Sequence, residues 1–143
     1  MIRTWHLLIL VGALAACGGS GSGNGSDPTA WVGNWNAVGT QSTTCNGATT
    51  PTQLTGLTVI AAGSKAGTIQ TTADNCTLVW DLSGATITLE SGQTCTVSVA
   101  GANVTVAWTQ SSATLSGTTI TGTNTGATNN GCSFMQQYTL TKM

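Results

Sequence analysis

Charge is the scarcest property of this chain: 143 residues hold three Lys or Arg, four Asp or Glu and one His. Arg3 and His6 stand at the extreme start, so the basic groups beyond it are Lys65 and Lys142, set against Asp27, Asp74, Asp81 and Glu90. Nucleic-acid binding rests on Lys and Arg neutralising phosphates, and two lysines far apart in sequence cannot form a basic patch. A Ser-His-Asp or Cys-His centre lacks its base, and a zinc site lacks imidazole. No run resembles an EF-hand calcium loop. These absences exclude nucleic acid as a partner and leave no residue to which catalysis, a metal or a cofactor can be assigned; the chain is not read as an enzyme. Asp81 and Glu90 read as solvated charges.

Long apolar runs are also missing, save one near the start. Arg3 is followed by an apolar stretch from Leu7 to Ala16, which ends in Leu14-Ala15-Ala16-Cys17. About ten apolar residues are too few to span a bilayer, and this arrangement is that of a cleaved secretion signal. The four residues resemble the lipobox of bacterial lipoprotein precursors, which implies cleavage before Cys17 and lipidation of its thiol. Gly18 to Ser26, GGSGSGNGS, is a flexible tether whose ends lie about 17 Å apart by random-coil scaling. Two or more acyl chains anchor stably where one is marginal. Gly18 rather than Asp after the cysteine favours the outer over the inner membrane by the enterobacterial sorting rule. The expected organisation is a signal over 1–16, a lipidated cysteine and linker over 17–30, and one folded domain over 31–143.

Four cysteines remain beyond Cys17: Cys45, Cys76, Cys95 and Cys132. An even count in an exported chain, without the close spacing of a metal site, reads as two disulfides with three connectivities open. Thr and Gly dominate the same region, and short alternating runs are separated by Gly, Ser and Asn. This predicts an all-β fold, an antiparallel up-and-down barrel or strongly bent sheet of about eight or nine strands. Strands are expected near 31–44, 54–62, 66–72, 76–82, 85–90, 94–100, 103–110, 113–125 (bent or broken) and 131–142.

Two-residue hairpin loops fix which residues face each other. With Ser83-Gly84 as a loop, Trp80 opposes Ile87 and Leu78 opposes Leu89. With Gly101-Ala102, Val97 opposes Val106 and Cys95 opposes Trp108. Ser116-Gly117 would pair Ala113 with Ile120, and the change of inward parity after Trp108 demands a bulge or turn near Gln110 to Ser112. If the first and last strands lie antiparallel with Cys45 opposite Cys132, Gln41 meets Gln136, Gly39 meets Tyr138 and Ala37 meets Leu140. This closes the barrel and favours a Cys45–Cys132 bond, leaving Cys76 with Cys95. In a regular meander those two sit two strands apart, beyond disulfide reach, so Cys76 is expected in a loop folded over the barrel end.

Gly33-Asn34-Trp35, preceded by Trp31, resembles the Gly-x-Trp motif that opens lipocalin-like and other calycin barrels. The resemblance implies that Trp35 packs across the barrel floor. Lipocalins usually pack a late arginine over that ring, and this chain has no Arg after Arg3.

Trp35, Trp80, Trp108, Phe134 and Tyr138 all point inward in this register and are expected to fill an interior just wide enough for them. Gln41 and Gln136 point inward as well and must find partners, most simply each other. The resulting reading is a lipid-anchored protein of the bacterial envelope, partnered by the membrane and by other envelope proteins, with a structural or partner-binding barrel. The alternative is a small apolar or aromatic ligand held among those seven residues. The anchor is testable alone. Cys17→Ser should leave an uncleaved or misprocessed precursor, and a native membrane-fraction protein whose Cys17 has an unmodified mass would refute it.

Overall fold

The computed structural model describes residues 27–73, 76–99 and 101–143. The signal, Cys17 and the linker up to residue 26 lie outside the described residues. Nine strands follow one another: β1 (Gly33–Cys45), β2 (Ala48–Ala62), β3 (Thr68–Ala73), β4 (Cys76–Ser83), β5 (Thr86–Leu89), β6 (Thr94–Val99), β7 (Ala102–Ser116), β8 (Thr119–Thr128) and β9 (Ser133–Lys142). No helix occurs among the described residues. β1, β2, β3, β4, β5, β7, β8 and β9 form a closed antiparallel ring, and β6 pairs with β7 outside it.

Alternation of apolar and Thr-rich positions explains this layout. Inward residues pack on the core, while outward threonines bond across strands, as in Thr44 with Thr49 at 2.8 Å and Thr72 with Thr77 at 3.0 Å. β-Branched hydroxyl side chains suit a pleated surface, and here they cover the exterior that charges cover elsewhere.

The end strands meet in the expected register: Gln41 faces Gln136, Gly39 faces Tyr138 and Ala37 faces Leu140. Cys45 bonds Cys132, and Cys76 bonds Cys95. The hairpins differ from expectation by one loop residue each. Trp80 pairs with Leu89 and Leu82 with Ile87, Val97 pairs with Val104 and Cys95 with Val106, and Leu115 pairs with Ile120. Moving a loop by one residue changes the pairing by two, so every side chain keeps its face. β2 starts at Ala48 rather than 54, because Asn46-Gly47 forms the tight turn after Cys45, with φ of 49° and 80°. Such Asn-Gly pairs suit type I′ hairpins, where both central residues need positive φ. β7 runs unbroken to Ser116 through an irregularity between Trp108 and Gln110, and the parity change falls there.

Cys76 begins β4 and is not in a loop over the barrel end. The bond to Cys95 is reachable because β5 is four residues long. Beyond its end, β6 approaches β4 directly, and the Cα atoms of Cys76 and Cys95 lie 5.7 Å apart. No ladder joins β4 to β6. Gln93 substitutes for one: its Oε1 accepts from Val79 N at 2.7 Å and its Nε2 donates to Val79 O at 2.6 Å.

One end of the barrel is solid. Trp31, Trp35, Ile60, Ile69 and Ile120 are fully buried there, each contributing roughly 1.5–3 kcal/mol of apolar burial. A turn before β1 plugs this end, with Pro28 O accepting from Trp31 N and Val32 N and Trp35 Nε1 donating to Trp31 O at 2.8 Å. Lys142 on the last strand lies over the Trp35 ring, 5.4 Å from its centre, and donates to Ala30 O at 3.2 Å.

The two disulfides close loops of different size, with sequence separations of 87 and 19. Chain-entropy arithmetic then gives about 4.5 kcal/mol for the first and about 3 kcal/mol for the second. Urea unfolding of the Cys45→Ser/Cys132→Ser and Cys76→Ser/Cys95→Ser double variants should show the larger stability loss in the first pair; the opposite order would show that the β4–β6 seam, not the end-strand closure, governs stability.

Candidate ligand cavity

The interior is not filled. Above the solid floor lies a cavity of about 630 Å³, bordered by Gln41, Trp80, Trp108, Phe134, Gln136 and Tyr138 together with Leu54, Leu78, Val97, Val104, Val106 and Leu140. Six of the seven residues singled out from the sequence thus share one space. Trp35 does not: it is wholly buried beneath, in the floor. The cavity extends to Cys45, Thr128, Asn130 and Cys132 at the opposite end of the barrel. It also reaches Thr55 and Leu57, where β2 runs on beyond its pairing with β3 over Val59–Ala62.

An eight-stranded ring is only just wide enough for its own side chains, so the hollow has to be made by small residues. Gly122 and Gly126 on β8 make it, by leaving room for the Tyr138 and Phe134 rings to lie against the wall. Tyr138 sits between Gly39 on β1 and Gly122 on β8, its neighbours in the sheet. A methyl on Gly122 would strike the Tyr138 ring and hydroxyl and come within 2.8 Å of Ala113 Cβ. A methyl on Gly126 would come within 2.6 Å of Phe134 Cε1. The Phe134 ring in turn meets Trp108 edge to face, with centres 6.2 Å apart. Burial pushes the Tyr138 phenol above its ordinary pKa.

A polar belt crosses this apolar wall. Asn124 Nδ2 donates to Gln136 Oε1 at 2.9 Å, Gln136 Nε2 to Gln41 Oε1 at 2.7 Å, and Gln41 Nε2 to Thr43 Oγ1 at 2.8 Å. The two glutamines therefore satisfy one another, as expected. Asn124 was missed. Its signal was the alternation Gly122-Asn124-Gly126 on β8, which places it beside Gln136 once β8 is registered on β9. No charged residue is among the described residues lining the cavity. Glu90, read as a solvated charge, pairs with Lys65 at 3.6 Å on the surface, a contact of little energetic weight.

A second hollow of about 650 Å³ crosses the outer face of β2, β1, β9, β8 and β7, bordered by Thr40, Gln53, Thr121, Thr123 and Gln137. It is a saddle in the sheet that opens to solvent. The inner cavity is the one walled by side chains.

These features define a small closed antiparallel β-barrel with a solid floor and a neutral hollow above it. No protein-family model matches the chain, and no curated protein matches it. Among solved structures it is similar to the ywiB protein from Bacillus subtilis, with 10% sequence identity and a TM-score of 0.45, over 77% of this chain and 92% of that one.

The glycine-aromatic packing makes a test of the hollow's origin. Gly122→Ala should push Tyr138 off the wall, destabilise the barrel by about 1–3 kcal/mol and reduce the space. Gly56→Ala, where an added methyl meets nothing within 4 Å, should stay within about 0.5 kcal/mol of the parent. Denaturant midpoints compare the two; equal effects would show that the rings do not depend on the missing side chain.

Proposed function

We propose that this protein is a lipid-anchored binding module of the bacterial envelope that holds a small apolar ligand inside its barrel. The observation that carries the reading is the interior cavity of about 630 Å³, which lies within the roughly 300–1,000 Å³ of small-molecule sites. Its lining is mostly aliphatic and aromatic with a few convergent amides, the composition expected of such a site. A purely structural barrel needs only a stable, neutral exterior and does not account for a hollow whose wall rings lie over two glycines. Two features support kinship with lipocalin-like barrels: the Gly33-Asn34-Trp35 opening and a cation over the floor tryptophan, supplied here by Lys142. The lipobox at Cys17 and the glycine-serine linker support a tether to the membrane, outer rather than inner. No reaction is proposed.

Trp80 and Trp108 on the wall report occupancy. N-phenyl-1-naphthylamine, a neutral apolar energy acceptor, should quench tryptophan emission saturably at one equivalent. Leu54→Trp, which adds bulk to the wall, should abolish that saturation. Absence of a saturable response in the folded, disulfide-bonded parent would overturn the reading.

A further inference from the structure

Two of the barrel's tryptophans, Trp35 and Trp80, have their indole N–H groups satisfied by the protein. Trp35 Nε1 donates to Trp31 O, and Trp80 Nε1 donates to Thr71 Oγ1, both at 2.8 Å. Trp108 Nε1 has no partner among the described residues, and neither has Asn124 Oδ1, the acceptor at the head of the amide belt. Asn124 is only 9% exposed, and both residues border the cavity. On the β7–β8 ladder Trp108 faces Gly126, two residues from Asn124 on the same strand, and beyond the irregularity between Trp108 and Gln110 it is Ser111 that faces Asn124. Ser111 Oγ, also buried, is a third group without a partner among the described residues.

Leaving a buried donor or acceptor unpaired costs about 1–3 kcal/mol. One donor and one acceptor on the same wall are matched by a ligand group that can both accept and donate. An anion is poorly matched, since burying a carboxylate without a cation carries a much larger penalty, and the described lining offers none. Resting on the ligand-binding reading above, we infer that the cavity selects a neutral ligand: an apolar, ring-sized body bearing one hydroxyl or carboxamide. That group accepts from Trp108 Nε1 and donates to Asn124 Oδ1, and the carboxylate of the same shape is rejected.

Isothermal titration of the folded protein with naphthalene, 2-naphthol, 2-naphthamide and 2-naphthoate at neutral pH separates the contributions. The hydroxyl and carboxamide should bind about tenfold more tightly than naphthalene, the gain of one or two net hydrogen bonds, and 2-naphthoate at least about tenfold more weakly than 2-naphthol. Trp108→Phe, which keeps a ring but removes the N–H, and Asn124→Leu should each collapse the naphthol-to-naphthalene ratio toward one. Equal binding of 2-naphthol and 2-naphthoate, or a ratio unmoved in both variants, would overturn the selectivity while leaving the cavity a ligand site. Binding by none of the four, together with no response to N-phenyl-1-naphthylamine, would overturn both.

Discussion

Ten residue pairs between β1 and β9, from Trp35 with Lys142 to Thr44 with Ser133, turn a curved sheet into a ring. The same register brings Cys45 to Cys132, joins Gln41 to Gln136 and sets Lys142 over Trp35. A slip of one residue would send each of these side chains to the opposite face. Soluble sheets often guard open edges with lysines, which this composition scarcely supplies. Joining the first strand to the last protects those two edges by eliminating them, and the neutral threonine exterior is tolerable where strand pairs with strand; β2 ahead of Val59 and the outer side of β6 keep an unladdered edge.

The interior follows a second economy, in which volume is set by where side chains are absent. Large rings on β9 lie over glycines on β8, so Tyr138 and Phe134 serve as wall rather than filling. The solid floor, built around Trp31 and Trp35, stabilises the structure. Division of labour along the barrel axis thus lets one half hold the fold while the other half stays open, and the amide belt from Asn124 to Thr43 lies in the open half.

Much of this architecture was legible in the chain because period-two alternation fixes the face of each residue whatever the loop length. The closing register could be read from residues that only fit together one way: two cysteines, two glutamines and a tyrosine against a glycine. Loop positions were less legible. Ser83-Gly84, Gly101-Ala102 and Ser116-Gly117 each offer neighbouring dipeptides that satisfy the same parity, and the choice between them depends on backbone twist. The start of β2 was legible in Asn46-Gly47 and was passed over for the more apolar stretch beyond it. Cys76 was misplaced because a regular meander assumes strands of equal length, and β5 is short. The hollow could not be read from alternation at all: a pattern marks Trp80 and Trp108 as inward without saying whether their rings stack across the axis or lie along the wall.

The wall itself is made of two fabrics. Around the eight-strand ring, strand is joined to strand by backbone ladders. Along the seam between β4 and β6, one amide side chain and one sulfur-sulfur bond do the fastening, from Gln93 to Val79 and from Cys76 to Cys95. Cys76, Leu78 and Val97 beside that seam also border the cavity. A barrel assembled under reducing conditions would keep its ladders and hold this flank by Gln93 alone, so the Cys76–Cys95 bond does more than strengthen the fold: it fastens the wall beside the cavity.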